Sequence, residues 1–269
     1  MERGLVYIII TITLIFLVTA GSIKKGFHTA RFTLSFFALF FAPGLAIAFR
    51  EGILKMISDT ALWLPIAAGL LSGLIIYELI FKRWWGFSTF EHELTHALVA
   101  LLFFRRIKKF VVTRYEGGYI VNTSGFGGEA GNHFIALAPY FLPTFTLLSV
   151  MIRPFLPATW FPWYDVWIGI TFSYQSLSNF GELKQNWTAK PFRQAKTGTE
   201  TKTDIGKEGF IFSFVMIFTL KLLFISMMMY IIAGSYAALS EWLRIIVKNS
   251  TVFYLHVFAE MYGYLKKLM

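Results

Sequence analysis

"FEHELTHALVALLFFRRIKKF", Phe90 to Phe110, decides how this chain is read. Its first half sets His92, Glu93 and His96 into a segment otherwise apolar enough to sit in a membrane. Its second half closes the apolar run with Arg105, Arg106, Lys108 and Lys109. Polar side chains are costly in a membrane helix, and an ionisable one there is a functional-site hypothesis by default. The His-Glu-x-x-His spacing gives a reason for the cost. On a helix, positions i and i+4 share one face. His92 and His96 can therefore bind one tetrahedral Zn2+, with Glu93 beside it as general base. Ser88 and Glu91 form an S-x-x-E capping box, which predicts a helix that starts at Ser88.

The rest of the chain fits a membrane setting. Of its 269 residues 56% are hydrophobic and only 15% are charged, against roughly 25% charged in a soluble domain. Apolar stretches at 4–20, 32–49, 62–81, 87–104, 130–152, 161–180 and 209–233 predict an all-α polytopic membrane protein with six or seven membrane helices. The first stretch is read as a retained helix rather than a cleaved signal peptide, because it is long for a signal core. The second contains Pro43-Gly44 and is expected to kink or re-enter. Three regions follow: N-terminal membrane helices over 1–60, a membrane core over 61–235, and a tail over 236–269. The tail mixes apolar and charged residues at helical spacing, as in a helix lying in the interface.

The net charge is +10, yet the bases flank apolar runs rather than gather on a polar module. That points to a lipid bilayer and away from nucleic acid. The side reached after residue 104 holds Arg105, Arg106, Lys108, Lys109 and Arg114, and by alternation Lys184, Lys190, Arg193, Lys196, Lys202 and Lys207. This side is expected to be cytoplasmic, in a multi-pass protein of the cell membrane. The absence of cysteine excludes a disulfide framework, an iron–sulfur cluster and a thiol nucleophile. Residues 107–125, "IKKFVVTRYEGGYIVNTSG", alternate β-branched and aromatic residues around Glu-Gly-Gly. They predict a short membrane-associated β-hairpin after the motif helix. A strand edge there could take up an extended peptide.

"HELTHALVALLFFRRIKKF", the hairpin and "GFGGEAGNHFIALAPYFLP" together resemble the site-2 protease family of intramembrane zinc metalloproteases, in its small members without a PDZ domain. The resemblance covers roughly 62–233. The motif itself is shared by many zinc proteases. The specific part is its place in a membrane helix, with a basic cluster and hairpin directly behind. The resemblance implies a zinc metalloendopeptidase that cleaves membrane protein or peptide substrates near the cytoplasmic face, with Glu93 as base and His92 and His96 as ligands.

Family members commonly take a third ligand from an Asn-Pro…Leu-Asp-Gly pattern, which this sequence lacks. Asp204, in "TKTDIGKEGF", is the first choice, where a polar loop re-enters the membrane as a helix. Glu182, ending the preceding helix, and Asp165, at that helix's opposite end, are the alternatives. Asn132 is either a helix cap or a donor to substrate or an oxyanion. His133 is expected to be structural. Glu78 and Lys82 form an i,i+4 pair, and Lys221 pairs with a carboxylate or snorkels. Two other functions remain open: a different membrane zinc peptidase with a glutamate as third ligand, and a degenerate metal-binding or scaffolding protein of the same fold.

Overall fold

The computed structural model describes residues 29–113, 117–188, 193–194, 200–201 and 204–268. The span expected at 4–20 lies outside the described residues. The described helices are α1 (Thr29–Ser58), α2 (Thr60–Leu79), α3 (Trp85–Leu102), α4 (Gly128–Phe141), α5 (Thr144–Ile152), α6 (Phe161–Thr188), α7 (Asp204–Glu208), α8 (Phe210–Gly234) and α9 (Ala238–Leu268). Two strands, β1 (Ile107–Val112) and β2 (Gly118–Asn122), follow α3; a two-residue pair, β3 (Arg193–Gln194) and β4 (Glu200–Thr201), precedes α7.

The expected count of six or seven spans is not confirmed among the described residues. Among the described residues α1, α2 and α8 are long and apolar enough to cross a membrane, and α4 with α5 makes a fourth if that bent pair is one span. The physical reason lies in the polar residues. α3 carries the motif, and α6 turns Asp165, Gln175 and Asn179 into the interior. The stretch 130–152 is broken by an 83° bend. Pro143 has no N–H and pushes Leu142 to an extended conformation, φ −91° and ψ 110°.

The re-entrant turn expected at Pro43-Gly44 does not form, because α1 runs on through Pro43. Gly44 is instead a point of close approach for α9. A Cβ there would fall 2.1 Å from the Ile246 carbonyl oxygen, and the Gly44 N–H donates to Ser250 Oγ at 3.2 Å. The tail over 236–269 is thus largely one helix that packs along α1, burying Trp242 and Ile246 against Leu45 and Ala48 and leaving Leu255, Phe258 and Tyr262 exposed. Helices α2 and α6 cross just as tightly. A Cβ on Gly69 would meet the Val166 carbonyl oxygen at 2.1 Å, and one on Gly169 the Ile66 carbonyl oxygen at 2.3 Å, the small-residue packing that lets membrane helices touch.

The motif helix is seated on a core from α3, α4 and α8 that includes Ala100, Leu137, Tyr140, Phe141, Val215 and Met216. Phe104, at φ +54°, turns the chain out of α3 into the hairpin. β1 and β2 pair antiparallel as expected, with Phe110 opposite Ile120 and an irregularity between Ile107 and Lys109. The Phe110 ring lies 5.9 Å from that of Phe90, so the hairpin folds back along α3. That contact brings a strand to the motif.

Candidate metal centre and active site

α3 begins at Trp85, after Trp84 and without a side-chain cap. The expected capping box is therefore corrected. Ser88 sits inside the first turns, and its hydroxyl lies 2.9 Å from Ser178 Oγ and donates to Glu182 Oε1 at 3.3 Å. Glu91 is buried and accepts a hydrogen bond from the Gln175 amide. Both residues serve contacts between α3 and α6, which outweigh a local cap.

The helix places both imidazoles on one side, and each ring is held from behind. His92 Nδ1 donates to Glu182 Oε2 at 2.8 Å, and His96 Nδ1 donates to the Ile135 carbonyl oxygen at 2.6 Å. A carboxylate and a carbonyl only accept, so each ring carries a proton on Nδ1 and, in its neutral form, presents a lone pair from Nε2. The two Nε2 atoms are 3.1 Å apart. Asp204 Oδ2 lies 3.6 Å from the one on His96 and 3.8 Å from the one on His92. Three acceptor atoms thus converge on one point, and His92, His96 and Asp204 form a group that could hold a metal ion. Two neutral imidazoles and a carboxylate, with outer partners fixing the rings, make a donor set that suits zinc.

The three candidate carboxylates have separate fates. Asp204 stands beside the imidazoles. It opens α7, and α7 is divided from α8 by Gly209, the residue before α8, at φ +88°. Asp204 therefore does not cap α8. Lys207 Nζ donates to its Oδ1 at 3.1 Å. Glu182 stands behind His92 as its partner. It lies within α6, which continues to Thr188 rather than ending at Glu182. Asp165 is bound to Arg153 by two hydrogen bonds of 2.6 and 2.8 Å and is not brought to the imidazoles.

The far end of α7 is anchored as well. Glu208 accepts from His133 Nδ1 at 2.5 Å and from Arg31 Nη2 at 3.2 Å. This joins the short helix to α4 and α1, and gives the buried His133 a structural contact.

Beside the imidazoles lies a cavity of about 320 Å³. Glu93, His96 and Asp204 form one wall, β2 forms another, and Arg105 with Asn132 forms a third. The strand comes close enough that a Cβ on Gly118 would fall 2.5 Å from Glu93 Cγ. Asn132 lies inside α4, whose preceding residue is Gly127, so it is not the cap. Its Oδ1 accepts from Arg105 Nη1 at 2.5 Å, which leaves its N–H groups for the cavity. Arg105 also donates to the Gly128 carbonyl oxygen at 3.0 Å and is buried. Sequence reasoning counted it only as one base of a cluster. Its single local mark is its place directly after Phe104, where the chain turns.

Residues 66–172 match the Peptidase M50B-like family model. This agrees with the resemblance to the site-2 proteases carried by the motif and hairpin. The matched segment runs from α2 into α6 and ends before Glu182 and Asp204. No curated protein and no solved structure matches the chain.

Proposed function

We propose that this chain is an intramembrane zinc metalloendopeptidase that hydrolyses peptide bonds of membrane-spanning substrates. His92, His96 and Asp204 would hold the ion, and Glu93 would be the general base. The observation that carries the proposal is the convergence of three metal-binding atoms beside Glu93, at a cavity walled by a strand. The family match and the apolar helices support a membrane metallopeptidase in general.

The chemistry a zinc ion supplies when bound is Lewis-acid polarisation of a carbonyl and acidification of water. The protein's own groups do the rest. Glu93 takes the proton of the attacking water and passes it to the leaving amine. Glu182 and the Ile135 carbonyl oxygen keep both rings turned inward. An extended substrate lies along β2 as an added strand, and Gly118, lacking a side chain, lets β2 close on Glu93. The Asn132 amide, its oxygen already engaged by Arg105, offers N–H groups to the oxygen on which charge develops. The basic residues after α3 favour a site toward the cytoplasmic face of a cell membrane.

The test is metal content together with cleavage. Purified wild-type protein should carry about one zinc, the stoichiometry of a single three-ligand site, and cut a membrane-spanning reporter. His92→Ala and His96→Ala should lose both properties. Protein that stays metal-free in zinc-replete medium would sink the proposal. Zinc without cleavage would favour the scaffolding alternative, for which the missing Leu-Asp-Gly pattern speaks.

A further inference from the structure

On α8, Phe210, Phe214, Phe218 and Lys221 fall at i, i+4, i+8 and i+11, one face of a helix. The three phenylalanines are exposed, and the rings of Phe214 and Phe218 stack at 6.2 Å. With Leu183 of α6 and Ile205 of α7, this face lines an apolar cavity of about 200 Å³ that contains Lys221. Leu183 follows Glu182 and Ile205 follows Asp204. The cavity therefore starts at the two segments that carry the metal-site carboxylates and runs along α8 as far as Lys221.

Lys221 is out of place there. It stands near the middle of a 25-residue span, about 16 Å from one end and about 20 Å from the other by helical rise. A four-carbon stem cannot bring its ammonium to either interface, so the expected snorkelling fails. The expected carboxylate partner is not found among the described residues. The apolar stretch 4–20 contains no carboxylate either. A lipid headgroup lies at the wrong depth. A cation so placed in a span marks a functional contact by default.

We propose that this groove seats the membrane-spanning segment of the substrate, and that Lys221 selects segments with a carboxylate residue near the middle of the bilayer. The proposal rests on the peptidase function above and names its substrate class. Unpaired, the ammonium and the carboxylate are each costly in the bilayer; paired, they relieve one another. A segment without an acid leaves Lys221 uncompensated, so discrimination comes from the penalty on the wrong partner.

The experiment uses the full chain with Glu93→Gln, so that binding is read without cleavage. The probes are leucine-rich membrane-spanning peptides with one central Glu, Gln or Lys, reconstituted with the protein in phosphatidylcholine vesicles. Association is followed by energy transfer. The Glu peptide should bind about tenfold or more tightly than the Gln peptide. Lys221→Met should erase that difference, and Lys221→Glu should transfer the preference to the Lys peptide, both with zinc content unchanged. Equal binding of the Glu and Gln peptides, no binding of any peptide, or a preference that survives Lys221→Met would each overturn the proposal. If zinc and cleavage are absent from the wild type while the Glu preference holds, the peptidase assignment fails and this docking site stands.

Discussion

Asp165 and Glu182 lie on the same helix, α6, and meet opposite surroundings. Asp165 is closed off. Arg153 donates to both of its oxygens, sends Nη1 to the Ile232 carbonyl oxygen at 3.0 Å, and lies 4.0 Å from the centre of the Phe161 ring. Both partners are almost without solvent, at 1% and 4% exposure. Glu182 is half-open. It bonds His92 and Ser88, and the imidazole it holds presents its other nitrogen to a point where His96 and Asp204 also aim. A buried charge whose partners all come from the chain is structural. One that turns an imidazole toward a point where other acceptor atoms also converge serves to orient that imidazole.

That contrast can be broken by substitution. The largest effect belongs at the open end. Glu93→Gln should retain zinc and lose cleavage by about 10²–10⁴-fold, the usual contribution of a general base, in a single-turnover assay of a membrane-spanning reporter. Near-normal turnover would remove Glu93 from the role. Asp204→Asn should lose zinc and cleavage while thermal unfolding stays near wild type. Asp165→Asn should do the reverse. It leaves Arg153 buried and unpaired, a loss of about 3–5 kcal/mol, but each folded molecule should keep its metal. If Asp165→Asn sheds zinc without unfolding and Asp204→Asn is silent, the two ends have been assigned the wrong way round.

Smaller effects sharpen the boundary between ligand and support. Glu182→Gln should weaken zinc binding by about 10–100-fold, the range for outer-shell partners of a ligating histidine, as read by competition with a chelator. A complete loss would make Glu182 a ligand. Glu208→Gln should act more weakly still, at about tenfold or less, because it loosens the far end of α7 and touches no ligand. A loss as large as that for Asp204→Asn would mean that α7 does not hold its place without the contacts to His133 and Arg31.

The local parts of this architecture were legible in the sequence. The motif and its helix, the hairpin around Glu-Gly-Gly and the Glu78–Lys82 pair, seen at 2.6 Å, all depend on near neighbours. What escaped depends on which helices meet. Ser88 and Glu91 fit a capping box perfectly well by spacing, but α6 offers Ser178, Glu182 and Gln175, and those contacts prevailed. Nothing near Arg105 announces that it turns inward to Asn132, and nothing near Glu208 points to His133. Hydropathy leaves the number of spans open for a related reason. It scores a polar residue the same whether it faces lipid or another helix, so α3 and α6 could not be told from true spans or from interior ones. Asp204 sits in a five-residue helix that periodicity is too coarse to find.

The crossing of α2 and α6 at Gly69 and Gly169 has a mechanical consequence. Glu182 lies thirteen residues beyond Gly169 (169 to 182) on the same helix, a rigid arm about 20 Å long. The glycine contact is its fulcrum. A tilt of about 5° there swings the tip of such an arm by about 1.7 Å, enough to pull Glu182 off the His92 ring. Lateral pressure on the crossing, from a bulkier side chain or a thicker bilayer, would therefore register as slackened grip on the metal rather than as unfolding.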